Sequence, residues 1–211
     1  MDWPFCLYRP QSGRCHLLEL PPELREAIYA FALVSDKPTV TFKLDRYQQD
    51  TYTQANQPPL TRVSRQIRQE TLPVWYGGND IVLHAEGGKA DDARKWLVRH
   101  EQHLPKLRQV SFWIRYVTPA NRYSSSNGAI AVRLRRDPGR GGAWRVEDGW
   151  RWITVVRKPE EVARDAKFLV GHLRELLRED WPDQLSAAGL HGLLADLRVG
   201  YVRQKMGRHP I

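Results

Sequence analysis

Apolar residues recur every three to four positions in several stretches of the chain, which is the spacing of an α-helix. The clearest stretch begins at Pro21 and Pro22, whose locked backbone suits the start of a helix. It places Leu24, Ile28 and Phe31 on one stripe. Further helices are predicted over residues 60–79, 91–105, 159–177 and 190–201.

Other stretches alternate apolar with polar residues, or are rich in β-branched and aromatic residues, as β-strands are. Asp148-Gly149 is typical of a two-residue hairpin turn, which would place Arg145 across from Trp152 in a cation–π contact. Residues 45–57 and 118–129 are polar and predict loops. Strands are predicted over residues 38–44, 81–84, 110–117, 130–135, 143–147 and 150–156.

This order of elements indicates an α+β fold. Paired N-terminal helices would pack with a mostly antiparallel sheet, and C-terminal helices would close it. We expect a single domain over residues 17–202, because no linker long enough to separate two domains interrupts it. Residues 1–16 predict an irregular N-terminal arm, and residues 203–211 predict a basic, frayed tail.

The first two helices resemble a known family. The run Leu20-Pro21-Pro22-Glu23-Leu24-Arg25, continued by Ile28-Tyr29 and answered by Arg65-Gln66-Ile67-Arg68, is similar to a group of fungal F-box-like proteins. That group is related to one named for two Glu-x-Arg motifs. Glu23-Leu24-Arg25 matches the first motif, and Gln66-Ile67-Arg68 departs from the second. The resemblance extends over about residues 17–116.

The resemblance implies a non-enzymatic adaptor, namely a substrate-recognition subunit of a cullin-type ubiquitin ligase. F-box segments present Leu-Pro and the helix after it to a Skp-type adaptor, and the rest of the chain would then recognise a protein substrate. The long segment between the two helices departs from a compact F-box, and the alternative is that the same leucines pack internally against Val63, Ile67 and the sheet. The implied partner contacts are Leu20, Pro21, Leu24, Ile28 and Leu33.

Composition narrows the class of protein without naming a function. The 211 residues are 41% hydrophobic and 10% aromatic, which is enough to build a core. The two cysteines, Cys6 and Cys15, do not make a disulfide framework. Neither a secretory signal nor a run of about 20 apolar residues is visible, so we expect a cytoplasmic or nuclear protein without a membrane partner.

Motifs for catalysis or metal binding are not visible either. Cys6, Cys15 and His16 lack a second ligand pair at zinc-site spacing, and His100 and His103 lack suitably spaced carboxylates. The sequence holds neither the phosphate-binding loop motif nor a Gly-x-Ser-x-Gly nucleophile motif. We therefore expect no enzyme activity, no metal and no cofactor.

Arginine is concentrated in one region. Between residues 108 and 151 there are nine arginines, no lysine and three acidic residues, and this stretch supplies most of the chain's net charge of +9. Arginine interleaved with tryptophan on strands suits phosphate contacts plus base stacking, so the alternative function is binding of nucleic acid or an acidic partner. The simpler interpretation is a solvated sheet face. The candidate residues are Arg133, Arg135, Arg136, Arg140, Arg145, Arg151, Trp144 and Trp152.

Overall fold

The computed structural model describes residues 16–118, 128–137, 143–153, 160–178 and 186–208. Nearly all of the predicted N-terminal arm, most of the predicted 118–129 loop, Arg140 and the last three residues of the predicted tail lie outside these described residues.

Within them the chain forms six helices and six strands. The helices are α1 (His16–Glu19), α2 (Pro22–Leu33), α3 (Arg65–Gly78), α4 (Gly87–Arg99), α5 (Val162–Arg178) and α6 (Ala187–Arg208). The strands are β1 (Thr39–Val40), β2 (Thr53–Gln54), β3 (Ile81–His84), β4 (Gln109–Arg115), β5 (Ala129–Arg136) and β6 (Trp144–Ile153). Short 3₁₀ helices span Arg46–Gln48, Pro59–Arg62 and Glu101–Lys106.

The six strands form one mixed sheet in the order β2-β1-β3-β4-β5-β6, which confirms the predicted α+β class. β1, β2, β3 and β4 pair in parallel, whereas β4, β5 and β6 are antiparallel. The parallel half follows from the connections, since α3 lies in the chain between β2 and β3, and α4 lies between β3 and β4. The two antiparallel pairs are the longest, with seven paired residues each.

The helices pack on one face of this sheet. Leu83, Phe112 and Val132 face them and belong to the large core cluster, together with residues of α2, α3, α4, α5 and α6. The intervening residues, such as Val82 and Trp113, face the other way and form a smaller cluster with Phe42, Leu44 and Tyr52. A short segment of chain therefore covers part of the second face.

Two predictions near the sheet edge are wrong. The predicted strand 38–44 pairs only at Thr39 and Val40, and both are buried rather than alternating, because β1 lies between two neighbouring strands with both of its faces covered. The predicted loop 45–57 contains a 3₁₀ turn and the edge strand β2.

The predicted hairpin at Asp148-Gly149 is also wrong. β6 runs through both residues and pairs along its length with β5, so Arg145 lies opposite Arg135 and Trp152 lies opposite Ile130. Between the flanking pairs, the single residue Arg133 of β5 faces residues 147–149 of β6. Asp148-Gly149 thus forms a β-bulge, a position that glycine also favours.

The predicted frayed tail does not begin at residue 203, because α6 continues as a helix to Arg208. The last turns are held by Lys205, whose Nζ lies 2.8 Å from Oδ2 of Asp165 on α5. Tyr201 donates a hydrogen bond to the same oxygen over 3.1 Å. This buried contact fastens the end of α6 to α5.

Candidate interaction surfaces

Helix α2 is anchored to α3 by its inner face. Tyr29 and Leu33 are buried there. Arg25 makes two parallel bonds to the carboxylate of Glu70, Nη2 to Oε1 at 2.8 Å and Nε to Oε2 at 3.0 Å. Tyr29 donates to the same carboxylate over 2.9 Å. These contacts join α2 and α3 into one rigid unit.

The Glu70 carboxylate is the centre of this anchor. Hydrogen bonds from Arg25 and Gln66 hold the pKa of Glu70 down to about 2. Arg25 also donates to the backbone carbonyl of Leu20, which ties the segment before α2 to the same group. These hydrogen bonds therefore fix the position and tilt of α2 against α3.

The apolar stripe of α2 lies on the opposite side of the helix and faces solvent. Leu24 is 53% exposed, Ile28 is 43% exposed and Phe31 is 93% exposed. At 3.6 residues per turn these three side chains lie within about 60° of one another, with Ala27 beside them. We call Leu24, Ala27, Ile28 and Phe31 the outer face of α2. An exposed apolar helix face of this kind is typical of a binding surface.

Most of the contacts implied by the family resemblance lie at the surface. Pro21, Leu24 and Ile28 are exposed and Leu20 is half-buried. Leu33 is the exception, because it is 7% exposed and belongs to the core, so it is corrected from a contact to a packing residue. The competing expectation, that these side chains pack internally against Val63, Ile67 and the sheet, holds for Leu33 but not for Leu24 or Ile28, which are exposed. The α2–α3 contact is instead made by Tyr29, Leu33 and Arg25. The sequence could not reveal this, because it shows a stripe but not which way it faces.

A groove runs along the other side of α2. One part, a cavity of about 450 Å³, lies between α2 and α3. A second cavity of about 610 Å³ continues past the end of α3 toward the ends of β4 and β5. Both are lined by Pro73, Gly77, Gly78 and Arg108, and the second adds Lys106, Arg135 and Arg136. We call this second part the basic groove.

The arginines and tryptophans predicted to form one nucleic-acid surface lie mainly on opposite faces of the sheet. Trp144, Trp150 and Trp152 pack against the large core on the helix side. Trp152 meets the ring of Tyr116 edge-on at 5.6 Å. Arg133 lies on the other face. The stacking component of the nucleic-acid hypothesis therefore lacks its geometry.

Several of the predicted anion-binding arginines are instead bound to acids of the chain. Arg133 lies 2.9 Å from Asp80 and 3.2 Å from Glu147. Arg135 lies 3.5 Å from Glu147, and Arg151 lies 3.5 Å from Asp80. Sequence reasoning missed this network because Asp80 and Arg133 are far apart in the chain.

The remaining predicted arginines of this group differ in their surroundings. Arg136 donates from Nη1 to the carbonyl of Pro105 over 2.8 Å. Arg145 is exposed at the surface opposite Arg135. Arg140 lies outside the described residues.

Buried histidines are the other titratable groups of note. Burial and the charge of Lys89 lower the pKa of His84 to about 3, and burial lowers the pKa of His100 and of His103. Nδ1 of His84 accepts a hydrogen bond from the backbone N–H of Glu86. Within the described part of the chain, no three His, Cys, Asp or Glu side chains come together as metal ligands.

Comparison of the chain with protein-family models, with curated proteins and with solved structures finds no match. Across the ranges that the structure describes, no helix is both long enough and apolar enough to cross a bilayer.

Proposed function

We propose that this chain is a non-enzymatic interaction protein whose outer face of α2 docks onto a partner protein. The observation that carries the proposal is the exposure of Leu24, Ile28 and Phe31 on a helix whose opposite face is anchored to α3 through Tyr29 and Leu33. Full burial of a large apolar side chain stabilises by about 1.5–3 kcal/mol, so Phe31 would gain nearly all of this on docking, and Leu24 and Ile28 would gain about half of it. A partner that covers them would gain this free energy.

The rigidity of α2 supports the same proposal. Arg25, Tyr29 and Glu70 hold the helix against α3, so little conformational entropy is lost when a partner covers the outer face. An amphipathic helix presented in this way suits an apolar groove on the partner.

We further propose that the partner is a Skp-type adaptor and that the chain recognises a protein substrate for a cullin-type ubiquitin ligase. This finer proposal rests on the resemblance of the Leu-Pro helix and of the Arg-Gln-Ile-Arg helix to F-box-like proteins. Pro21, Leu24 and Ile28, which the resemblance names as contacts, are exposed and so available to such an adaptor.

The test is an affinity pull-down from nuclease-treated host lysate, read by mass spectrometry. Wild type is compared with a Leu24→Asp/Ile28→Asp variant. The control variant is Val98→Asp/Val199→Asp, which places the same charges at exposed valines of α4 and α6. We expect a Skp-type adaptor and a cullin with wild type and with the control, and neither with the outer-face variant. Equal recovery by all three would contradict the proposal, as would the absence of the adaptor from the wild-type sample.

A further inference from the structure

The basic groove carries a concentration of positive charge that the docking of α2 does not use. Its walls contain Lys106, Arg108, Arg135 and Arg136, and the described residues that line it include no acidic side chain. Four like charges around one cavity repel one another, and an anion bound among them relieves that repulsion. The groove is therefore suited to a negatively charged ligand.

Two of these cations make no ion pair within the part of the chain that the structure describes. Neither Lys106 nor Arg108 has an acidic partner within 4.0 Å in the part of the chain that the structure describes. Arg135 shares Glu147 with Arg133, over 3.5 Å and 3.2 Å respectively. The Arg/Asp/Glu network on the sheet face thus leaves the groove with a surplus of positive charge.

The floor of the groove is formed by backbone atoms at the end of α3. Gly77 and Gly78 end α3 there and present no side chain. A Cβ at Gly77 would lie 3.4 Å from Nε of Arg108, which is contact distance, so the guanidinium lies directly beside the helix end. An extended segment of another chain can approach this floor closely.

The neighbouring α2–α3 cavity distinguishes between classes of ligand. It opens from the same floor but is lined by Ala30, Val34 and Val74, by the ion pair of Arg25 with Glu70, and by the carboxylate of Glu26. A nucleic-acid backbone, charged along its whole length, would meet the carboxylate of Glu26 and an ion pair whose charges already compensate each other. A peptide can place an apolar residue at that end and acidic residues at the other.

The scarcity of aromatic side chains around the two cavities also favours a peptide over a nucleic acid. Among the described residues that line the two cavities, the only aromatic side chain is Tyr29, which is almost fully buried and holds Glu70. Single-stranded nucleic acids depend on exposed rings for much of their binding. The described lining of the groove therefore supplies cationic side chains but no exposed aromatic ring on which a base could stack.

We propose that the basic groove binds an acidic segment of a partner protein, with Lys106 and Arg108 as its principal contacts. An apolar residue of that segment would occupy the α2–α3 cavity. This site is separate from the outer face of α2, and it does not depend on a Skp-type adaptor being the partner there.

The experiment selects a phage-displayed library of random 12-residue peptides on the full chain. We expect the selected peptides to be enriched in Asp and Glu next to an apolar residue. A fluorescein-labelled copy of the best peptide should lose at least about tenfold in affinity on the Lys106→Glu/Arg108→Glu variant, and its binding to wild type should weaken with salt.

The control is Arg62→Glu/Arg65→Glu, which reverses two exposed charges about 18 Å away near the start of α3, judged from a 1.5 Å rise per residue. It should bind the peptide as wild type does. If the Glu variant does not fold, Lys106→Gln/Arg108→Gln replaces it.

Three results would overturn the proposal. They are a selected pool without acidic enrichment, peptide affinity unchanged in the groove variants, and stronger binding of a labelled 20-nucleotide DNA that the same variants abolish. The Leu24→Asp/Ile28→Asp variant should still bind the peptide. Failure at the outer face and failure at the groove are therefore distinguishable.

Discussion

The ion pair between Asp165 and Lys205 gives the sharpest prediction about stability. Asp165 is fully buried and Lys205 is 5% exposed, so their charges are almost entirely removed from water. The distance from Nζ to Oδ2 is 2.8 Å, and Tyr201 donates to the same oxygen. Asp165→Asn keeps the shape of the side chain and removes only its charge.

The stability lost in Asp165→Asn depends on how well the buried Lys205 ammonium is still compensated. Breaking a buried pair by removing one partner costs about 3–5 kcal/mol, since the other charge stays buried without compensation. Glu161 lies 3.6 Å from the same ammonium and is half exposed, so it compensates in part. We therefore expect the lower end, about 3 kcal/mol, which for a chain of this size lowers Tm by about 6–12 °C.

The assay is equilibrium urea unfolding, with calorimetry for Tm, on wild type and on the variants Asp165→Asn, Lys205→Met and Asp165→Asn/Lys205→Met. The double variant should lose less stability than the sum of the two single losses, because it leaves no buried charge unpaired. A loss below about 1 kcal/mol for Asp165→Asn, or simple additivity in the double variant, would show that the two buried charges do not stabilise each other.

Three further predictions concern the anchor and the packing around it. Because the folded pKa of Glu70 is about 2 against an ordinary 4.5, the unfolded chain binds more protons between these values and stability falls as the pH falls through them. In urea unfolding from pH 5 to pH 2.5, the stability lost in Glu70→Gln should shrink toward the acid end, and a constant difference would contradict this. A Cβ at Gly78 would overlap the side chain of Val34, so Gly78→Ala should lose about 1–3 kcal/mol, while its neighbour Gly77→Ala should be nearly neutral by the same thermal assay. Among the described residues, neither ring nitrogen of the buried His103 has a hydrogen-bond partner, so His103→Leu should gain about 1 kcal/mol at neutral pH, and a loss would show that the ring has a partner.

Local patterns predicted the longer elements well, because helical spacing and strand composition depend on neighbouring residues. The helix at Pro22–Leu33 and the strand at Ile81–His84 follow their sequence signals closely. β1 and β2 were not predicted at their true extent, since two-residue parallel strands have no local pattern of their own. Asp148-Gly149 shows the limit of a turn signal. The residues on both sides of it pair with β5 over a longer stretch than a hairpin would have allowed them to pair with each other.

The candidate surfaces were predicted in part. Leu24 and Ile28 were named from the sequence, but their exposure depends on Arg25 and Glu70, which meet across 45 residues of chain. The basic groove brings together side chains from two places. Lys106 and Arg108 lie just before β4, and Arg135 lies near the end of β5. Charge density pointed to the region, and only the sheet register shows which arginines line a cavity.

Calorimetric titration of a purified Skp-type adaptor into the chain tests the proposed docking of the outer face of α2. We expect binding whose affinity hardly changes between low and high salt, since the contact is apolar. The folded Leu24→Asp/Ile28→Asp variant should lose at least about 3 kcal/mol, or about 150-fold in Kd, and Val98→Asp/Val199→Asp should bind as wild type does. No heat of binding with wild type, or an unchanged Kd in the folded outer-face variant, would contradict this docking.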